Sequence, residues 1–429
     1  MNSEKNISES GKIKVNAPKG TKDIYSPEVE KWQYVEQQIR EFFSLFLYKE
    51  IRTPIFEHSE LFQRGIGSET EVVQKEMYTF IDKADRSITL RPENTASVVR
   101  AAIENNLFNE LYPLRFLYIG PMFRYEKPQK GRQRQFHQMG IEVFGDEGPG
   151  VDAEVVYSAF KFLERLKLKD IRLSVNSVGC PECRPGFLKK LEIEADKHHN
   201  ELCSDCQRKI HTNPLRIFDC KNPRCIEISE GFPKITDHLC EACDTHFRGL
   251  RNYLDLMDVV YTVNPRMVRG LDYYTRTAFE ITSGHLGAQD AVLGGGRYDK
   301  LVRDLGGPDI PGIGFAAGME RIILHLESTA AKKENIILVA YQNEEYEPEA
   351  VKLTKTLREK GVNAFISYNL NNMKKQFKRG DRIDAAYTFI LGEEEIKTDT
   401  ISIKRMETRE QVNIKKEELD QWLKITIHI

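Results

Sequence analysis

Three arginines are placed where they could hold an anion. Arg124 closes an apolar run, Arg269 precedes Gly270, and Arg321 follows Met319 and Glu320 at the start of a helical pattern. A planar guanidinium forks onto phosphate or carboxylate oxygens, so three that converge would grip a nucleoside triphosphate. Taken singly, each reads as a surface ion pair. No G-x-x-x-x-G-K-[ST] run occurs, so a P-loop is not the phosphate cradle. The run Gly294-Gly295-Gly296-Arg297-Tyr298 could form a phosphate-binding turn, but close strand packing explains it more simply.

The element that must position Arg124 is a hairpin. Phe116–Tyr125 and Phe136–Phe144 read as antiparallel strands joined by a basic loop carrying Lys127, Lys130, Arg132 and Arg134. Strand periodicity puts Gln138, Gly140 and Glu142 on one face of the second strand, with His137, Met139 and Ile141 on the other. An amide, a bare backbone and a carboxylate in one row suit the floor of a polar pocket. The plain alternative is a hairpin with a solvated, charged tip.

All eight cysteines of the 429 residues fall between Cys180 and Cys243. Cys180-x-x-Cys183 followed by Cys203-x-x-Cys206 has the spacing of a structural zinc site, and Cys220, Cys225, Cys240 and Cys243 make a plausible second set. Spacing does not decide which pairs share an ion. The plain alternative, small buried hydrophobes, sits poorly with four pairs packed so closely. The net charge of −2 does not advertise a nucleic-acid binder, although a local basic patch suffices for phosphate contacts. There is no apolar leader at the start of the sequence and no eighteen-residue apolar run, so a cytoplasmic protein without a membrane span is expected.

The chain divides as follows. Residues 1–16 are polar and read as a disordered tail. Val29, Trp32, Val35, Ile39, Phe42, Phe43 and Phe46 then recur at helical spacing and form core. A strand broken at Pro54 follows, then paired strands Met77–Ile81 and Ser87–Leu90 leading to Glu93, Asn94 and Thr95. Thr95 or Asn94 can cap the next helix, leaving Glu93 exposed at its mouth. Val151–Leu168 reads as a helix and Ile171–Asn176 as a strand; 178–250 is a cysteine-rich insertion within a unit spanning 17–333. From 334 to 429 the alternation is that of a small α/β domain. Its predicted helix Asn371–Gly380 and the residues after it crowd Lys374, Lys375, Lys378, Arg379 and Arg382 together. Its final helix is predicted over Lys415–Leu423.

Residues 116–144 resemble motif 2 of the class II aminoacyl-tRNA synthetases in its histidyl form: Phe123, Arg124, Glu126, Pro128 to Arg132, Gln135 to Gln138, Gly140 and Glu142. The stretch around Pro54 resembles motif 1, GFAAGMER resembles motif 3, and RGLDYY (269–274) resembles the histidine signature. The segment RPENTA resembles the family's amino-group loop, with Asn94 where glycine is common, and the last domain resembles its anticodon-binding domain. The resemblance implies an α+β fold: a six-stranded antiparallel sheet with flanking helices, a cysteine-rich insertion, a C-terminal α/β domain, and a homodimer.

The activity it implies is that of a histidine–tRNA ligase using ATP with Mg2+, L-histidine and tRNA(His). Arg124 and Arg269 would supply charge at the α-phosphate; Arg124, Glu126 and Arg321 would bind ATP. Glu93, Asn94 and Thr95 would surround the amino group, Gln138 and Arg269 the carboxylate end, and Glu142 with Tyr273 or Tyr274 the imidazole. Lys127, Lys130, Arg132 and Arg134 would meet the acceptor stem, and Lys374, Lys375 and Lys378 the anticodon arm. Zinc is not a general property of this family. The competing reading is a catalytically inactive, synthetase-like regulatory subunit, which should lack the last domain and some of the arginines.

Overall fold

In a computed structural model the structure describes residues 15–67, 70, 72–109, 113–129, 131–269, 273–284, 291–326, 335–370 and 372–427. The tail expected over 1–16 therefore lies mostly outside the described residues, as does Lys130. The chain separates into two compact units at residue 327.

The first unit contains strands β1 (Lys49–Glu50), β2 (Phe56–His58), β3 (Tyr78–Ile81), β4 (Ser87–Leu90), β5 (Leu114–Phe123) and β6 (Gln135–Phe144). Then come β7 (Ile171–Ser177), β8 (Thr262–Val263), β9 (Thr275–Ser283), β10 (Ala291–Arg297) and β11 (Gly312–Gly318). The large sheet runs β1-β5-β6-β11-β10-β9-β7-β8. It has eight strands and is mixed, which corrects the six-stranded antiparallel expectation. The additions are two-residue strands pairing parallel at the edges, β1 on β5 and β8 on β7. Such short runs carry no alternation to read, and β1 stops shortly before Pro54, which has no amide to continue a ladder. A second sheet, β2-β4-β3, packs Thr89 and Ser59 in a small hydroxyl network.

The hairpin is as its periodicity demands. β5 and β6 pair antiparallel over ten positions, from Leu114 opposite Phe144 to Phe123 opposite Gln135. Met139, Ile141 and Val143 enter the main core with Phe43, Phe162 and Phe315, under the helices Val29–Ser44 and Pro149–Arg165. The opposite face, carrying Gln138 and Glu142, is left for the site.

Behind β10 a charged cluster is fully enclosed. Arg297, with no exposure, donates Nε–H to Asp152 Oδ1 at 3.0 Å, and His246 Nε2 lies 2.8 Å from Asp152 Oδ2. Burial alone would raise the pKa of Asp152, but the Arg297 charge and the hydrogen bonds from His246 and Arg297 together outweigh it and hold the carboxyl below its usual range. The cluster ties β10 to the helices Pro149–Arg165 and Glu241–Leu256. Removing one partner would strand a buried charge, so these elements hold together.

The insertion is a helical subdomain, Arg184–Lys197, Ser204–Thr212 and Pro223–Ser229, around its own small core of Phe187, Leu191, Ile210, Ile217 and Phe232.

The second unit has β12 (Ile337–Tyr341), β13 (Ala364–Ile366), β14 (Tyr387–Leu391), β15 (Thr400–Arg405) and β16 (Gln411–Lys415) in the order β13-β12-β14-β15-β16. The last helix expected over Lys415–Leu423 is present with shifted bounds, a 3-10 turn Lys416–Glu418 leading into a helix Leu419–Thr426, but the edge strand Gln411–Lys415 on β15 just before it was not foreseen. Most of that strand is exposed, so it has no buried face to betray it. A helix Glu393–Thr398 was also not foreseen; three glutamates in its first turn favour a helix N-terminus. The basic helix Met373–Arg382 begins at Asn372, whose side chain accepts the Lys375 amide at 3.1 Å. Gln376 and Gly380 face inward, Gln376 bonding the Tyr341 carbonyl at 2.8 Å, so Lys374, Lys375, Lys378 and Arg379 are left outside.

Candidate functional site

A cleft lies over the polar face of β6, lined by both carboxylates and guanidiniums. Glu93 is buried, and its two oxygens accept the amides of Thr95 at 2.7 Å and Ala96 at 3.0 Å. The helix Thr95–Glu104 is thus capped by Glu93, not by Thr95 or Asn94, and Glu93 is enclosed where exposure was expected. Asn94 turns away from the cleft: its Oδ1 accepts from Thr53 Oγ1 at 2.7 Å and Arg91 Nη1 at 3.0 Å. That corrects its placement beside the amino group; one residue further round the loop, it serves the buried arginine instead.

Thr95 Oγ1 donates to Glu142 Oε1 at 2.7 Å, and the Tyr298 hydroxyl donates to Glu142 Oε2. Glu142 therefore sits beneath the cleft floor, screened by Thr95 and Tyr298, and does not line the wall. Burial pushes its pKa up to about 8; the hydrogen bonds from Tyr298 and Thr95 oppose that, and the Glu93 charge adds to it. Gly314 makes room: a Cβ there would lie 2.1 Å from Glu142 Oε2. Gln138 lines the cleft, and its Oε1 is buried without a hydrogen bond, an acceptor awaiting a donor.

Four guanidiniums, Arg124, Arg132, Arg269 and Arg321, share the lining. Arg124 is steadied by its Nε–H to the Pro92 carbonyl at 2.9 Å and lies 5.4 Å from the Phe136 ring centre. Arg321 is tethered by the Ala291 carbonyl. Its pKa is lowered by burial and by the neighbouring Arg132 charge, the signature of cations held together without enough counter-charge. Arg269 pairs with Glu280, and its Nε is buried without an acceptor. Its guanidinium fills the space over Gly294, where a Cβ would come within 2.1 Å. So one glycine of the triplet makes room for the arginine, while a Cβ on Gly295 would strike the Gly314 carbonyl at 2.3 Å, which is strand packing.

The basic loop divides. Arg132 bends into the cleft and pairs with Glu126 at 2.7 Å. Arg134 is stacked on Tyr125, 3.9 Å from its ring centre, with its amide bonded to the Gly20 carbonyl. Only Lys127 stands exposed among the described members of the group. Tyr273 and Tyr274 were expected on opposite faces of a strand. Both line the cleft, ring centres 4.8 Å apart, because they precede β9 and escape its alternation.

Tyr298 was the functional residue least visible in sequence. It stood only as the end of the glycine run, and nothing local announces that its hydroxyl reaches Glu142. Glu280, the partner of Arg269, carried no signal beyond strand alternation.

The cysteines gather in two groups, Cys180, Cys183, Cys240 and Cys243, and Cys203, Cys206, Cys220 and Cys225, each able to hold a metal ion. Spacing leaves open which pairs come together, and the grouping does not follow chain order.

A family model described as histidyl-tRNA synthetase matches residues 20–212 and 226–322, and one described as an anticodon binding domain matches 335–425. The histidine–tRNA ligase of Halothermothrix orenii is 50% identical over 405 residues, 93% of this chain and 96% of that protein. That of Desulfitobacterium hafniense is 50% identical over 412 residues, 95% and 97% respectively. The solved apo histidyl-tRNA synthetase of S. aureus superposes with a TM-score of 0.81 at 38% identity, covering 96% of this chain and all of that one. The mixed α/β fold, with its cleft and its anticodon-binding domain, is that of a class II aminoacyl-tRNA synthetase. Within that class, the chain belongs to the histidyl-tRNA synthetase family.

Proposed function

We propose that this chain activates L-histidine with ATP and transfers it to the 3′ end of tRNA(His), as an ATP-dependent ligase of the cytoplasm. The observation that carries the reading is what the cleft brings together. The buried Glu93 carboxylate and the unpaired Gln138 amide oxygen suit an ammonium-bearing amino acid, and Arg124, Arg132, Arg269 and Arg321 in the same lining suit a triphosphate. Glu93 and Gln138 would hold the amino group. Tyr273, Tyr274 and Tyr298 would enclose the imidazole, with Glu142 acting through Thr95 and Tyr298 beneath them. An imidazole both donates and accepts, and a site built to satisfy both strongly rejects side chains that do neither.

The histidine carboxylate attacks the α-phosphorus, the bond to the β-phosphate oxygen breaks, and pyrophosphate leaves. The terminal ribose hydroxyl of tRNA then attacks the histidyl carbonyl and AMP leaves. The protein contributes position and positive charge, Arg124 and Arg269 at the α-phosphate and Arg321 towards the γ end. Magnesium would neutralise charge on the β- and γ-phosphates, and Glu126 is a carboxylate on the cleft wall beside these cations that fits it.

The test is ATP–pyrophosphate exchange with each of the twenty amino acids, without tRNA. Exchange with histidine alone is expected. No exchange in folded, ATP-binding protein would shift the reading to the regulatory subunit, which neither the cleft arginines nor the matched anticodon-binding domain favours.

The exposed row Lys374, Lys375, Lys378 suits the anticodon arm, and Lys127 the acceptor stem. Changing all three helix lysines to glutamate should raise the tRNA KM in aminoacylation at least tenfold and flatten its salt dependence. An unchanged tRNA KM would remove this helix from the interface. Exposed Ile55, Phe56, Phe80 and Ile81 on and beside the small β2-β4-β3 sheet support a homodimer through this face. Sedimentation should then give twice the 49.6 kDa chain mass.

A further inference from the structure

The four sulfurs of each cysteine group lie within 4.8 Å of one another. Cys180 Sγ is 3.8 Å from Cys183 Sγ and 3.7 Å from Cys240 Sγ; Cys183 and Cys243 are 3.9 Å apart, and Cys203 and Cys220 3.8 Å. Tetrahedral thiolates about 2.3 Å from one ion stand about 3.8 Å apart, whereas a disulfide needs about 2.05 Å. Backbone amides already point at the sulfurs, Cys180 N–H to Cys183 Sγ and Cys203 N–H to Cys225 Sγ, both at 3.2 Å, and Asn222 N–H to Cys220 Sγ at 3.4 Å. Amide donors of this kind stabilise thiolate over thiol and orient the ligands.

We propose that the insertion carries two nested tetrathiolate zinc sites, and that the inner one anchors a wall of the amino-acid pocket. The inner site takes Cys180, Cys183, Cys240 and Cys243; the outer takes Cys203, Cys206, Cys220 and Cys225. A tetrahedral all-sulfur set selects zinc or iron, and aminoacylation moves no electrons, so the redox-inert ion is assigned.

The inner site closes the neck of the insertion, where the chain leaves and returns sixty residues later. Joining ends so far apart costs loop entropy that metal binding can offset. On one side of the neck, the Val178 amide bonds the Arg276 carbonyl at 2.7 Å and the Arg276 amide bonds the Gly179 carbonyl at 2.8 Å. Arg184, next to Cys183, donates to the carbonyls of Val178 and Tyr274. Tyr274 lines the cleft. On the other side, Cys240 starts the helix that places His246 against Asp152. An ion at the neck therefore braces Tyr274 through a single layer of hydrogen bonds. The outer site organises the distal lobe, which docks by Arg266 Nη2–H to Ser229 Oγ at 2.7 Å.

The pocket-bracing part rests on the histidine reading of the cleft; the metal sites do not. The experiment uses the full chain purified without chelator. Elemental analysis should give two zinc per chain, X-ray absorption should give four sulfurs at about 2.3 Å, and all eight thiols should resist a thiol reagent until a chelator is added. Metal-free protein with reactive thiols, one ion, or iron with visible absorption would overturn the sites. Cys243→Ser should lose one zinc and raise the histidine KM in pyrophosphate exchange about tenfold, leaving the ATP KM within twofold. Cys206→Ser should lose the other zinc and move the histidine KM less than threefold. A Cys243→Ser protein lacking one ion but with an unaltered histidine KM would overturn the bracing role. Two zinc ions in a wild type that exchanges with no amino acid would refute the histidine reading and leave the metal sites standing.

Discussion

Arg269→Ala should lower histidine-dependent ATP–pyrophosphate exchange by about a thousandfold and leave the protein folded. The guanidinium lies over Gly294, where β10 forms the wall of the cleft, and its Nε is buried without an acceptor while Nη1 holds Glu280. A donor poised where negative charge develops is worth about 10²–10³ in rate when removed, because the site cannot rebuild it from water. The structural cost is small: Glu280 is partly solvated, and such pairs contribute about 1 kcal/mol or less. The thermal midpoint should move by no more than a few degrees. Arg269→Lys keeps the charge but loses the fork, so it should recover only part of the rate. Removal of Arg321, proposed for the γ end of ATP, should appear chiefly as a raised ATP KM. Near-wild-type exchange by Arg269→Ala would remove this residue from the reaction.

The reach of the sequence differs between parts of this site. The β5–β6 hairpin was legible to within about two residues because one face is packed and the other is not, and a period of two survives in the residue types. The three predicted arginines do converge, since each was marked by its neighbours in a strand end, a signature or a helix start. What could not be read depends on chain returning from afar. The cysteine grouping brings Cys180 and Cys183 to Cys240 and Cys243 across the whole insertion, and no spacing rule sees that. Glu93 was read as a solvated helix-end carboxylate, yet the loop before it turns its oxygens onto the amides of Thr95 and Ala96. Arg132 and Arg134 are two residues apart in one basic loop; one enters the cleft and the other stacks on Tyr125, a division set by how the loop folds back.

Glu142 should make the free protein lose stability as pH rises, and Glu142→Gln should abolish that loss. The carboxyl is buried under Thr95 and Tyr298, and its pKa stands near 8 against an ordinary value of 4.5. Between those values the folded protein holds a proton that the unfolded chain has released, so its stabilising contribution is full below about pH 4.5 and is gone once pH passes 8. At about 1.36 kcal/mol per pH unit, the fall from pH 5 to pH 8 reaches about 4 kcal/mol. Glutamine keeps the shape and can still accept from Tyr298, but it cannot ionise. Denaturant titrations at pH 5 and pH 8 should show the wild type losing several kcal/mol relative to Glu142→Gln over that interval. The same substitution removes the charge from beneath Thr95 and Tyr298, and histidine-dependent exchange should drop about a hundredfold at pH 8. At pH 5, where the wild-type carboxyl is itself neutral, the gap should narrow. That convergence separates ionisation from shape: a merely steric role for Glu142 would leave the two proteins equally far apart at both pH values, and parallel stability curves would refute the raised pKa.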